Sequence, residues 1–476
     1  MRAPISVTNP RTGSVDYQFV PADTATVRET ALRLRAGQKK WVEGGFAYRA
    51  QVLEKWAQEV EKAADAITQA LVTDTGRYTI SRSEVISTPK KIRRWAKLGE
   101  EYAAETLQHS DEVPGVSFKP QYVPYPLAGI ISPWNFPVSL SLIDALPALV
   151  AGCAVIIKPS EVTPRFVEPL RATVKAVPEL AAVFDILAGD GETGATLVDV
   201  VDIICLTGSV RTGRKVAEAA GKRFIPAFLE LGGKDPAVVL PGADLDRAVD
   251  AILRQGVVNS GQVCLSTERI YVHESIHDDF VTRLAEKARA VEINYPDIHR
   301  GHLGPIISPA QAAIIDDHID DALAKGAKIV TGGKVENHEG GKWCRATVMT
   351  HVSHDMKLMR DETFGPILPV MPFRTKEEAI ALANDTEFGL SAAVFGPTTE
   401  AALEVASEIN AGGLSINDAG MQSLTTEAEK TSFGYSGLGG SRMGPAGFMR
   451  FLRKKALMIQ DGKPRGIDAF REANPA

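Results

Sequence analysis

The sequence predicts an α/β protein of at least two domains, and three observations predict it. From Pro137 to about Val239, strand-like and helix-like segments alternate, and a second alternating series begins near Asp244. Such alternation places helices on both faces of a parallel sheet. The chain has 476 residues, and at roughly 150 residues per domain that is two or three domains with ample cores.

From Ala22 to about Thr106 the pattern is helical, with "SEVISTPKKIRRWAKLGEEYAAE" long, charged and periodically apolar. Between Gly115 and Ile131, "VSFKPQYVPYPLAGII" reads as a hairpin or an extended arm. The stretch Ser139–Ile157, "SLSLIDALPALVAGCAVII", contains Asp144, Pro147 and Gly152. It therefore reads as a helix ending near Gly152 and a following strand, not a membrane span. In the first alternating series the strands are "AVIIK", "FDILAG", "DIICLTGS" and "PAVVLP", with helices "PRFVEPLRATVKAV" and "VRTGRKVAEAAG" between them. The second series includes "LDRAVDAILRQGVVN", "RIYVHE", "IHDDFVTRLAEKARAV", "AKIVTGG", "ILPVMPF" and "KEEAIALANDT". The final "FLRKKALMIQ" reads as an edge strand that joins another subunit.

Composition narrows the function. Apolar residues make 44% of the chain and charged residues 24%, with 53 basic against 59 acidic residues and a net charge of −6. This is an ordinary globular composition without the basic excess that attracts nucleic acid or an anionic membrane. The four cysteines, Cys153, Cys205, Cys264 and Cys344, form no CxxC pair. They do not make a disulfide framework, and with no apolar segment in "MRAPISVTNPRTG" the expected location is the cytoplasm. His351 and His354 have no cysteine or carboxylate cluster at ligand spacing, so no metal site is expected.

Several stretches carry candidate chemistry, each beside a plainer alternative. Cys264 in "NSGQVCLSTERI" is a nucleophile or a packed core thiol. Gly208 and Ser209 lie between a strand and a helix, a turn that suits a phosphate or simply joins the two. Lys158 and Glu161 in "IIKPSE" follow a strand's carboxyl end, where α/β sheets bind ligands. They can grip the vicinal hydroxyls of a ribose or form a surface ion pair. Glu230 in "FLELGGKDPAVVL" has apolar neighbours that would raise its pKa toward that of a base, or it is a capping acid. Asn135 in "SPWNFPVSL" is an oxyanion donor or a turn residue. Glu362 and Phe364 precede Gly365-Pro366 in "RDETFGPILPV", where the acid can also be solvated in a turn.

Taken together, "NPRTG", "SPWNFP", "LVAGCAVIIKPSEVTP", "LTGSVRTG", "LELGGKDPAVV", "GQVC", "ETFGPILPV" and "EFGLSAAVF" make the chain resemble the aldehyde dehydrogenase superfamily. The blocks occur in the family's order over nearly the whole chain. The resemblance implies a Rossmann-like cofactor domain (1–112 and 131–234), an α/β catalytic domain (235–450), and a protruding β oligomerisation arm (113–130 and 451–476). It implies a homodimer or homotetramer.

The same resemblance implies roles. Cys264 matches the nucleophile, Glu230 the general base and Asn135 the oxyanion donor. Lys158 and Glu161 match the residues on the adenosine ribose, Gly208 and Ser209 the turn beside the pyrophosphate, and Trp134 the cofactor cleft. Glu362 matches the residue on the nicotinamide ribose, with Phe364 beside it. Glu230 favours hydrolysis over transfer to coenzyme A, and Glu161 favours NAD, with Lys158 leaving room for NADP. Leu140, Ile143, Val258, Val263, Leu265 and Phe433 match positions lining the aldehyde tunnel. Being apolar, they favour an aromatic or medium-chain aldehyde over a semialdehyde bearing a carboxylate. A coenzyme A-acylating enzyme and a catalytically silent scaffold are the other readings. The segment 417–447 departs from the family's closing pattern: "SFGYSGLGGSRMGPAG" lacks its lysine and its Arg-Glu pair.

Overall fold

The structure is a computed structural model that describes residues 2–464 and 466–472. The expected cofactor domain's first residue and the last four residues of the expected arm, with residue 465, lie outside the described residues. An antiparallel pair, Ile5–Thr8 with Val15–Phe19, precedes four helices, Thr24–Glu43, Gly45–Lys62, Ala64–Thr75 and Thr79–Tyr102. Asp23 starts the first of these, its carboxylate accepting from Thr26 N at 2.8 Å and satisfying an otherwise orphan helical donor. Tryptophans pin the helices to the rest of the fold. Trp41 Nε1 donates to Leu149 O and Trp56 Nε1 to Thr173 Oγ1, both at 2.9 Å. Each ring is buried with its one polar atom satisfied, and truncating such a ring to alanine costs about 3–5 kcal/mol.

Two sheets organise the molecule. The first has six strands in the order Gly437–Leu438, Ala227–Glu230, Ile203–Thr207, Leu127–Ile131, Ala154–Lys158 and Phe184–Ile186. All pairs are parallel except the edge strand Gly437–Leu438. The chain enters at Leu127–Ile131, builds to one side, then returns to build the other. The order therefore reverses between Ile131 and Thr207, the crevice where α/β sheets bind ligands. The second sheet has seven strands in the order Lys328–Thr331, Thr347–Thr350, Ile367–Phe373, Thr267–His273, Asp235–Val239, Ser391–Phe395 and Gly413–Ile416. Only its Lys328–Thr331 edge is antiparallel.

Helix Pro137–Ala151 ends at Gly152, whose φ of 108° closes it in the left-handed region. Its following strand, Ala154–Lys158, is wholly buried. No described helix is long and apolar enough to cross a membrane. The stretch read as a hairpin or an arm divides at Pro124. Leu127–Ile131 joins the parallel sheet, while Val116–Pro124 pairs along its whole length with Leu452–Gln460. Gln108–His109 completes that three-stranded antiparallel sheet. The hairpin alternative fails because the two runs follow different partners.

Candidate active site

A cleft of about 680 Å³ lies over the carboxyl ends of the strands that finish at Ile131, Lys158 and Thr207. Lys158, Glu161, Gly208, Ser209 and Trp134 all line it. The Lys158 ammonium is buried and meets the half-exposed Glu161 carboxylate at 3.2 Å. Ser209 caps helix Val210–Arg223, accepting from Thr212 N at 3.3 Å. Gly208 N donates to Glu230 O at 3.1 Å, which holds the turn against the neighbouring strand end. The helix N-terminus facing this cleft offers the partial positive charge that suits a phosphate.

The cleft continues past Trp134, Thr207, Gly208 and Ser209 into a second pocket that contains Cys264, Asn135, Glu362 and Phe364. The buried Asn135 amide donates from Nδ2 to Gln262 O at 3.0 Å. Its backbone carbonyl accepts from Arg77 Nη2 at 2.7 Å and Asn259 Nδ2 at 3.2 Å. One amide hydrogen is thus committed and the second is free to serve a ligand.

The loop before Cys264 has an unusual backbone. Asn259, Ser260 and Gly261 have φ of 55°, 57° and 72°. A Cβ on Gly261 would collide with the Gly365 carbonyl, so glycine allows these two loops to touch. Buried Gln262 fixes the turn. It donates to Asn259 O at 2.9 Å and accepts from Ile307 N at 2.9 Å. Asn259 Nδ2 also donates to Gln262 O at 3.0 Å.

On the opposite wall, Trp134 and Phe364 stand edge to face with centroids 5.4 Å apart. Phe364 has φ 51°, a strained conformation that its surroundings must hold. Glu268 does this, accepting from Thr363 N and Phe364 N at 2.7 Å each. Glu268 is itself bound by the fully buried Lys234 at 2.6 Å. Glu362 accepts from Gly233 N at 3.1 Å. A Cβ on Gly232 would overlap its carboxylate, so that glycine makes room for the acid.

The electrostatics are dominated by burial. Burial pushes the Cys264 thiol up to about 12, and the carboxylates of Glu230, Asp235 and Glu362 push in the same direction. Burial, helped by Glu268, raises Glu362 to about 8, and burial raises Asp235 to about 7. Glu230 ends its strand, with Ser432 Oγ donating to its Oε2 at 3.1 Å and the Lys430 ammonium 3.9 Å away.

The structure thus gathers Cys264, Asn135, Trp134, Glu362 and Phe364 around one pocket, and the Glu230 carboxylate acts on the thiol by charge. Among the six tunnel positions, Leu140 lines this pocket. Ile143 is half-buried one turn along its helix, and Val263 and Leu265 flank Cys264 half-buried. Val258 and Phe433 are exposed, the latter paired with Gly389 across a short antiparallel bridge. Sequence reading missed Gln262, Asn259, Arg77, the Lys234–Glu268 pair and Lys430. Of these, Gln262, Asn259, Lys234 and Glu268 stood inside quoted stretches, and Arg77 and Lys430 did not.

Comparison with known proteins agrees with this geometry. The sequence profile of the aldehyde dehydrogenase family matches residues 2–457. The solved structure of Putative Aldehyde Dehydrogenase PutA from Anabaena variabilis is 51% identical. It superposes with a TM-score of 0.95, covering 98% of this chain and 99% of that one. Betaine aldehyde dehydrogenase from Staphylococcus aureus, solved with NAD+, is 27% identical with a TM-score of 0.90, covering 99% of this chain and 94% of that one. A Mycolicibacterium smegmatis protein provisionally named succinate-semialdehyde dehydrogenase [NADP(+)] is 32% identical over 92% of this chain and 85% of its own length. With a family match over nearly its full length and a fold to go with it, the chain belongs to the aldehyde dehydrogenase family.

Proposed function

We propose that the protein oxidises an aldehyde to the carboxylic acid with NAD, using Cys264 as nucleophile, Asn135 as oxyanion donor and Glu230 as base. The observation that carries this reading is that Cys264 and Asn135 line one pocket, continuous with the cleft of Lys158, Glu161, Gly208 and Ser209. That cleft fits a dinucleotide. It offers a carboxylate and an ammonium for ribose hydroxyls, a helix N-terminus for the pyrophosphate, and Trp134 and Phe364 at the passage to the thiol. When bound, the nicotinamide supplies a hydride acceptor.

The residues of the chain do the rest. Cys264 rests as a protonated thiol, so a base must take its proton as the sulfur attacks the aldehyde carbon. Water in the pocket takes that proton. The free Asn135 amide hydrogen and the Cys264 backbone N–H bind the resulting oxyanion, and one such donor is worth about 3–4 kcal/mol in a barrier. Loss of hydride leaves a thioester on Cys264. Glu230 then removes a proton from water, which attacks the thioester; the acid departs and the thiol is restored. A carboxylate at this position favours water over coenzyme A as the acyl acceptor.

Glu161 supports NAD over NADP, because a carboxylate at the ribose hydroxyls repels a 2′-phosphate. The apolar wall at Leu140 supports an aromatic or medium-chain aldehyde. A second reading, a carboxylate-bearing aldehyde, is favoured by Lys91, whose ammonium donates to Ser139 Oγ at 3.3 Å, one residue before Leu140. The M. smegmatis relative's name points the same way. The division into cofactor, catalytic and arm regions given above belongs to the same proposal. The exposed Leu457, Met458 and Ile459 on the arm support a homo-oligomer.

The test is the absorbance of reduced nicotinamide with NAD or NADP and a panel of aromatic, aliphatic and carboxylate-bearing aldehydes. Turnover without coenzyme A is expected, and strict dependence on coenzyme A would overturn the hydrolytic reading. Loss of activity on the carboxylate-bearing members alone in Lys91→Ala would favour the second substrate reading.

A further inference from the structure

The Glu230 carboxylate is contacted from the 417–447 segment, where the chain departs from the family's closing pattern. Ser432, 202 residues further along the chain, donates to Glu230 Oε2 at 3.1 Å. The Lys430 ammonium lies 3.9 Å from the same oxygen, with the lysine side chain 10% exposed and the glutamate 15%. At that separation the ammonium acts by charge, and the hydroxyl supplies direction. Ser441 Oγ accepts from Lys430 N at 3.1 Å and anchors the lysine's backbone.

Three acids raise the Cys264 thiol's pKa by charge: Glu230 from strand Ala227–Glu230, Asp235 from strand Asp235–Val239, and Glu362, which lines the same pocket. Lys430 opposes them there, and it also acts on Asp235. Other nearby cations are bound more closely to other acids, although Arg442 also acts on Glu230 by charge. Lys234 is bound to Glu268 at 2.6 Å. Arg442 is bound to Asp144 at 2.6 Å, a carboxylate it shares with Arg450.

We propose that Lys430 is a positioning residue of this site, holding the Glu230 carboxylate beside Ser432 and offsetting the three acids around Cys264. The proposal rests on the reading of Cys264 and Glu230 as nucleophile and base. In a partly buried site a single positive charge is weakly screened. Without it, the negative surroundings oppose formation of a thiolate more strongly. The lysine thus gives the divergent segment a direct part in the reaction.

The experiment is the second-order rate of Cys264 alkylation by iodoacetamide across pH, with the adduct located by peptide mass spectrometry. The full-length protein is compared with Lys430→Met, Lys430→Gln and Lys430→Arg. One unit of rise in the thiol's pKa means about tenfold less thiolate. Lys430→Met and Lys430→Gln should therefore alkylate about tenfold more slowly near pH 8, while Lys430→Arg stays close to the parent. If Lys430→Met does not fold, Lys430→Gln is read in its place. Equal rates in the parent and a neutral variant would overturn the proposal. So would an equal loss in Lys430→Arg, which would mean that shape and not charge matters. The underlying reading fails separately, if alkylation of Cys264 in the parent leaves aldehyde turnover intact.

Discussion

The Asn135 amide donates to the backbone carbonyl of Gln262 at 3.0 Å, tying the segment before helix Pro137–Ala151 to the loop that ends in Cys264. The two residues are separated by 127 positions in the chain, yet this bond sets the amide beside the thiol. Asn135→Ala removes both the tie and the oxyanion donor. Its kcat should fall by about 100- to 1000-fold, with a much smaller change in cofactor affinity. A kcat within a few-fold of the parent would remove Asn135 from the mechanism.

The Lys234–Glu268 pair is fully buried, and its carboxylate also holds the backbone of Thr363 and Phe364. Lys234→Met leaves that carboxylate without its counter-ion. Breaking one side of a buried pair costs about 3–5 kcal/mol. Denaturant unfolding should register this loss together with weaker cofactor binding, since Phe364 flanks the cleft. Unchanged stability would mean that Glu268 is held well enough by its two backbone donors.

Stability should fall as pH rises from mildly acid to mildly alkaline. Burial raises Glu362 from 4.5 to about 8, and Asp74 and Asp235 from 3.8 to about 7. Between the ordinary and the raised values the folded chain keeps protons that the unfolded chain has released. Their contribution is complete below the ordinary carboxylate range and is lost as pH climbs through the raised values. Urea midpoints should therefore decline over this window, and Glu362→Gln should flatten the decline. A midpoint that rises across the same window contradicts the assignment.

Cofactor choice should respond to Glu161. The parent is expected to show a higher kcat/KM for NAD than for NADP. Glu161→Gln should narrow the ratio by removing the charge that repels a 2′-phosphate, and Lys158 stays behind to pair with that phosphate. A parent that prefers NADP would reverse the inference drawn from "KPSE".

What could be read in the sequence was local. The Gly208-Ser209 turn and the Lys158–Glu161 pair each sit within a few residues of a strand end, so hydrophobic pattern alone placed them on the cleft side. The two parallel sheets followed from alternation in the same way, except that "PAVVLP", counted with the first series, is strand Asp235–Val239 inside the second sheet, paired with Thr267–His273 and Ser391–Phe395. Pairings that depend on distant partners were not legible. Nothing near Val116 indicates that its strand pairs with Gln460, and nothing near Glu230 indicates Lys430. The left-handed run at Asn259–Gly261 was hidden for another reason: it is held by tertiary hydrogen bonds to Gln262 and a close approach to Gly365. Local propensity does not encode either constraint.

The central claim is that the acyl group passes through Cys264 and leaves by attack of water activated by Glu230. Its most direct test is the intact mass of Glu230→Gln quenched after mixing with NAD and an aldehyde that the parent oxidises. The account predicts an added acyl mass on the peptide containing Cys264, equal in amount to the reduced nicotinamide formed in a single burst. An unmodified Cys264 peptide alongside continued formation of reduced nicotinamide would contradict it.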